Sequence, residues 1–327
     1  MRKLLILTLP LLVAAAPTGY RTMGEIKIGG EGGWDYLTVD SAARRLYVSH
    51  ATHVVVVDLD ANKVVGDIPD TPGVHGIAIA AELNRGFISN GRGNNVTIFD
   101  LKSLKAIGAA ATGENPDSIR YDSVSGRVFA FNGRSKSATA IDAKTGNVVA
   151  TIPLPGKPEF SVADGRGKIY VNIEDTSEIV EIDAAKATFN KKYSLSPCDG
   201  PSGLAIDTKS RRLFSVCSNR LMAVSDPDAG KVVVTLAIGA GSDGAAFDPG
   251  TGYAFSSNGD GTLTVVQQTG GKWDVVENIA TERGARTIAV DEKTHKVYVP
   301  TAKTAPSQTG GRATFLPDTF KVLVIGR

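Results

Sequence analysis

The sequence predicts an all-β fold: a seven-bladed β-propeller with four-stranded blades, its ring closed by the N-terminal strand. Three observations predict it. A unit of about 42 residues recurs along the chain. Each copy holds short runs of Val, Ile, Tyr and Phe punctuated by Asn, Asp, Gly and Pro. No stretch carries an apolar stripe at the 3.6-residue helical period.

The first strand of the unit ends in Asp, at Asp40, Asp122, Asp164, Asp207, Asp248 and Asp291, with Ala80-Ala81 at the corresponding place in the second copy. The second strand is aromatic and β-branched and ends in Asn or Ser in most copies. Its seven versions run from Leu46-Tyr47-Val48-Ser49 to Val297-Tyr298-Val299-Pro300. The third strand again ends in Asp, at Asp58, Asp100, Asp142 and Asp183. These acids read as turn formers, because an Asp carboxylate bonds nearby backbone amides. The last repeat stops at its third strand, Val322 to Ile325, while an orphan strand, Glu25 to Ile28, precedes the first. The N-terminus is therefore expected to complete the final blade and remove an open sheet edge. Residues 24–327 read as one domain.

Residues 1–16 read as an export signal: Arg2 and Lys3, an apolar run from Leu4 to Ala15, then Ala14-Ala15-Ala16 for cleavage. About a dozen apolar residues are too few to cross roughly 30 Å of hydrocarbon as a helix, so no membrane span is expected. Periplasmic or secreted localisation follows. Loss of Arg2 and Lys3 takes the formal charge from +2 to 0, leaving no basic field to attract nucleic acid. Cys198 and Cys217 fall on neighbouring strands of the fifth repeat, and a disulfide between them suits that compartment. A monomer is expected.

The second-strand words, the following V-x-x-x-D strand and the turns at Gly113-Glu114-Asn115-Pro116, Gly156-Lys157-Pro158 and Asp199-Gly200-Pro201 resemble the YVTN-type, or YncE-like, β-propeller repeat family. The resemblance covers the whole mature chain. It implies the propeller architecture and an exported protein, and it carries no catalytic motif.

In a propeller the connections between blades and the turns between second and third strands lie on one face, around the mouth of the central channel. Function is expected there, on loops held by a rigid scaffold. Contact residues expected from the sequence are His50, His75, Arg134, Glu159, Glu174 and Arg286, with Trp34 and Phe160 as aromatic surfaces. This mixture of acids, bases and aromatics suits a small polar molecule, a peptide or a partner protein. His50 and His53 have H-x-x-H spacing and His75 opens the next repeat; His50, His75 and Glu159 form a candidate divalent-metal set. The Asn-Gly of Asn90-Gly91-Arg92 and Asn132-Gly133-Arg134 reads as a hairpin turn, with the arginines open as ligand contacts. Two residues before each first-strand Asp or its counterpart stand Thr38, Ala78, Arg120, Val162, Ala205, Ala246 and Ala289, read as the channel wall. Arg120 is the exception among modest side chains and is expected either to bind an anion or to pair with Asp117 or an acid of a neighbouring blade. About 20 residues, from Thr301 to Phe320, separate the second and third strands of the last repeat, a loop long enough to overhang the mouth. The resulting expectation is an exported binding propeller, with a metal-assisted hydrolase or lyase at the same mouth as the alternative.

Overall fold

The computed structural model describes residues 18–305 and 314–327, so the expected export signal at 1–16 lies outside the described residues. The chain forms seven four-stranded antiparallel sheets. The innermost strands are Leu37–Asp40, Val74–Ala80, Pro116–Asp122, Pro158–Ala163, Pro201–Asp207, Ser242–Asp248 and Ala289–Asp291, numbered here as blades one to seven. Blades one to six are simple meanders. The seventh takes Ala289–Asp291, Lys296–Thr301 and Lys321–Gly326 from the end of the chain and Arg21–Lys27 from its beginning. The closing strand lies antiparallel to Lys321–Gly326, with Ile26 opposite Val322. No described helix is long and apolar enough to cross a membrane.

The described residues before the expected boundary at 24 also pack on the propeller. Tyr20 is buried, donates its hydroxyl to the His295 carbonyl at 2.8 Å and packs edge-on against Phe255 at 5.5 Å. The Thr18 amide reaches the Glu277 carboxylate on blade six at 2.9 Å. Burial of one aromatic ring outweighs the polar, exposed character of the strand that follows it.

The core is divided among the gaps between blades. Each channel-wall position stands directly opposite a large aromatic on the next strand: Thr38 with Tyr47, Ala78 with Phe87, Arg120 with Phe129 and Val162 with Tyr170. The series continues with Ala205 and Phe214, Ala246 and Phe255, and Ala289 and Tyr298. The space between radial sheets widens away from the axis, so close packing demands small residues inside and large ones outside. At the narrowest points only glycine fits. A Cβ on Gly203 would stand 2.6 Å from the Ala245 amide nitrogen of the next blade, and one on Gly244 2.9 Å from the Ile288 nitrogen.

The repeated Asp residues cap turns on the face opposite the mouth. Asp58 accepts the amides of Asp60 and Ala61 at 2.9 and 2.8 Å, and Asp142 those of Lys144 and Thr145 at 3.1 and 2.7 Å. These backbone donors lower the pKa of both carboxyls. On the same face Arg44 of blade one binds buried Asp291 of blade seven at 2.6 Å, and Arg211 of blade five binds buried Asp164 of blade four at 3.1 Å.

The Asn-Gly segments are not two-residue hairpin turns. Strands in blade two end at Asn90 and resume at Asn95, and the left-handed residue is Asn94; in blade three it is Lys136. Asn90 and Asn132 are buried, and their amides bond Thr97 and Thr139 at 2.8 and 3.0 Å. The side chain ties two strands together, and turn geometry passes to a residue further on.

Candidate functional site

The second-to-third turns of successive blades dock on the connections that precede each blade. Gly91, Gly133 and Glu174 donate their amides to the carbonyls of Gly73, Asn115 and Lys157, each at 2.9 Å. One face therefore gathers both sets of loops. Pairing along the innermost strands is interrupted between Val74 and Ile77, Pro116 and Ile119, Pro158 and Ser161, Pro201 and Leu204, and Ser242 and Gly244. Such bulges re-aim side chains, and here they fall at the mouth.

The mouth residue stands three positions before the channel-wall residue in every blade, with a bulge beside it in blades two to six. Around the ring these are Asp35, His75, Asp117, Glu159, Ser202, Asp243 and Arg286. His75 Nδ1 lies 2.5 Å from Asp35 Oδ2 and 3.7 Å from Asp117 Oδ1. Arg286 pairs with Asp243 at 3.0 Å, and Glu159 with Lys157 at 2.7 Å. Lys157 also reaches Glu174 at 2.5 Å. With every group ionised, four carboxylates against Arg286 and protonated His75 leave the ring at −2.

Burial and crowding hold protons in this ring. Burial raises the pKa of Asp35 and Asp243. It also pushes Asp117 up to about 6, and Glu159, with Asp117 nearby, to about 8. For His75, burial opposes the charged form, but the Asp35 hydrogen bond and the surrounding carboxylates outweigh it and raise its pKa to about 9. Oδ1 of Asp117 is buried without a hydrogen-bond partner. Beneath the ring the Tyr36 and Phe160 side chains, from blades one and four, meet edge-on at 4.8 Å across the channel. The Tyr36 hydroxyl sits among Asp117, Asp35, Glu159 and Asp243, and burial lifts its pKa well above the usual phenol value.

Among the described residues, Asp35, His75 and Asp117 form the group whose ligand atoms all lie within 4.8 Å of one another. The set expected from sequence, His50 with His75 and Glu159, is not what the fold assembles. His50 and His53 face each other in register with rings 4.9 Å apart. His50, however, ends the second strand of blade one, is fully buried and stacks on Phe320 at 4.5 Å. Burial lowers its pKa to about 4, so it is neutral. His75 opens an innermost strand and points to the axis, which separates it from that pair.

Other expected contacts divide between the ring and its surroundings. Glu159 and Arg286 are in it, Phe160 lies beneath it against Tyr36, and Glu174 flanks it through Lys157. Arg134 is exposed on the second-to-third turn of blade three, and no ion pair holds it among the described residues. Trp34 is not an open aromatic surface: it is buried against Phe320 at 5.1 Å and Phe315 at 4.8 Å. Phe315 belongs to the long last-blade loop, whose described ends pair as Thr304–Ala305 with Thr314–Phe315. Cys198 and Cys217 are joined as a disulfide, their Cα atoms 5.7 Å apart. Asp35, Asp117 and Asp243 lacked a motif of their own; the signal was their constant offset from the channel-wall residues, visible once the repeats are aligned.

Arg120 is not paired with Asp117. Its Nε and Nη2 donate to the Ser161 carbonyl at 3.1 and 2.7 Å, and its guanidinium lies 5.3 Å from the centre of the Phe160 ring.

No family model matches the chain, and no curated protein matches it in sequence. Among solved structures it is similar in fold to Kuenenia stuttgartiensis hydrazine synthase, with a TM-score of 0.71 over 92% of this chain and 99% of that one. Identity is 13%, a level that speaks for the propeller architecture alone, since one fold hosts many chemistries.

Proposed function

We propose that the protein is a binding propeller of the YVTN type, exported from the cytoplasm, whose mouth captures a small polar ligand through a positively charged group. One observation carries the reading: seven equivalent positions place four carboxylates and a histidine around one axis, and burial raises the pKa of every one of those carboxyls. Like charges held together out of water are costly, and a cation placed between them relieves that cost. A divalent ion suits Asp35, His75 and Asp117 best. Two ligand atoms about 2.1 Å from one tetrahedral ion lie about 3.4 Å apart, close to the 3.7 Å between His75 and Asp117.

Titration calorimetry with Mn2+, Zn2+ and putrescine tests this on the wild type, Asp117→Asn and Asp35→Asn. At least one cation is expected to bind the wild type near one-to-one and raise its melting temperature, with affinity in either variant down about tenfold or more. Failure of all three cations to bind the wild type removes the reading.

A second reading, a metal-assisted hydrolase or lyase acting on a sugar, lactone or small ester, is favoured by Glu159. With its pKa near 8 beside the three-group cluster, it has the proton affinity a general acid or base needs near neutral pH. The ion would polarise a substrate oxygen or acidify a bound water, while Glu159 holds or accepts a proton. Metal-loaded protein that turns over no member of a lactone and ester panel leaves binding alone.

A further inference from the structure

Tyr36 and Phe160 also line a cavity of about 170 Å³ that no member of the acid ring borders. Its lining is mostly apolar residues at the starts of the innermost strands, among them Leu37, Ile77 and Ile119, with Thr38, Ser118 and one charged group, Arg120. The hydroxyls are already engaged: Thr38 Oγ1 donates to the Ile77 carbonyl at 2.7 Å, and Ser118 Oγ lies 2.8 Å from Ser161 Oγ.

Arg120 is anchored along one edge only. Nε and Nη2 share the Ser161 carbonyl, and Phe160 covers one face. The Nη1 protons and the second Nη2 proton have no acceptor among the described residues. Nor does any described carboxylate pair with this guanidinium, although acids abound one level above. Burial lowers its pKa to about 10, which still leaves it charged at neutral pH. The position is also singular in the repeat, since the other six blades carry Thr, Val or Ala there. A cation in a confined channel without a counter-charge is a costly arrangement, and a carbonyl and an aromatic face compensate it only partly. The end-on pair of Nη groups is the fork that receives a planar carboxylate.

We propose that this cavity is an anion site, in which the free edge of Arg120 binds one small monovalent anion of the carboxylate class. Its volume is that of about five or six waters at roughly 30 Å³ each, room for a formate- or acetate-sized group and its hydration and none for a nucleotide. The Tyr36–Phe160 contact separates it from the acid ring, so the two sites hold opposite charges on successive levels of one channel. This site does not depend on cation binding at the mouth.

The test uses the full mature chain in chloride-free buffer, with formate and bromide as separate probes. Calorimetry is expected to show saturable one-to-one binding of each anion to the wild type. Affinity is expected to fall about tenfold or more in Arg120→Gln and to persist in Arg286→Gln, which alters only the mouth. Crystals soaked in bromide are expected to show an anomalous peak within hydrogen-bonding distance of Arg120 Nη1. Should Arg120→Gln fail to fold, Arg120→Lys keeps the charge but loses the fork, and weaker formate binding is expected in it. Wild-type protein that binds neither anion, a bromide-soaked crystal without the peak, or undiminished binding in a folded position-120 variant overturns the proposal.

Discussion

His75 should make the stability of this propeller fall as the pH rises, and His75→Gln isolates its share. Its folded pKa of about 9 stands above the 6.5 of a free imidazole. A group whose pKa is raised on folding stabilises most below its unfolded pKa, and that contribution disappears as the pH passes its folded value. A rise of about 2.5 units at about 1.36 kcal/mol each gives about 3 kcal/mol, present below pH 6.5 and gone above about pH 9. Only a quarter of the side chain is exposed, so solvent screens little of it. Asp117 and Glu159 carry pKa values raised to about 6 and 8. The native state thus takes up protons there too, and the wild-type curve slopes the same way from about pH 4 to 9. Urea unfolding at fixed ionic strength should show the gap between wild type and His75→Gln closing by about 3 kcal/mol between pH 6 and pH 10. A parallel imidazole titration by NMR should place the His75 midpoint near 9. A midpoint near 6.5, or a gap that does not change with pH, would refute the account of the ring as a proton-holding cluster. Divalent metal should flatten the slope, because an ion and a proton compete for His75.

Two further outcomes concern the ring's closure and its one covalent link. Arg44→Ala leaves Asp291 buried without its cationic partner from blade one; chemical denaturation should show a loss of about 3 kcal/mol or more, and a loss under about 1 kcal/mol would mean that the Thr294 hydroxyl and the Lys293 amide suffice to satisfy Asp291. Replacing both Cys198 and Cys217 by Ser opens a loop with a sequence separation of 19; the loop-entropy relation gives about 3 kcal/mol, to be read as a lower denaturant midpoint with the cation affinity of the mouth unchanged.

The architecture was legible because a propeller repeats its physics. The spacing of Asp40, Asp122, Asp164 and their successors marks a turn that every blade needs, and a strand placed before the first repeat has one edge left to cover. Local chemistry was also enough to assign the Asp residues to turns, as the amides bound by Asp58 and Asp142 show. The channel wall followed from position in the unit, and Arg120 stood out there by composition alone.

The site needed the ring. His50 and His75 are equally near the mouth in sequence terms, yet one packs on Phe320 between blades and the other meets Asp35 at the axis. A bulge at the start of the innermost strand decides which way a side chain turns, and it leaves no mark in composition. Trp34 reads as an aromatic contact until Phe315 and Phe320 cover it from almost three hundred residues away. The sequence by itself determined the repeat, its turns and its closure, since those depend on short-range preferences recurring seven times. Which acids share protons, and which arginine stands alone in the channel, only the tertiary structure decided, because both depend on distances between blades that no local pattern encodes.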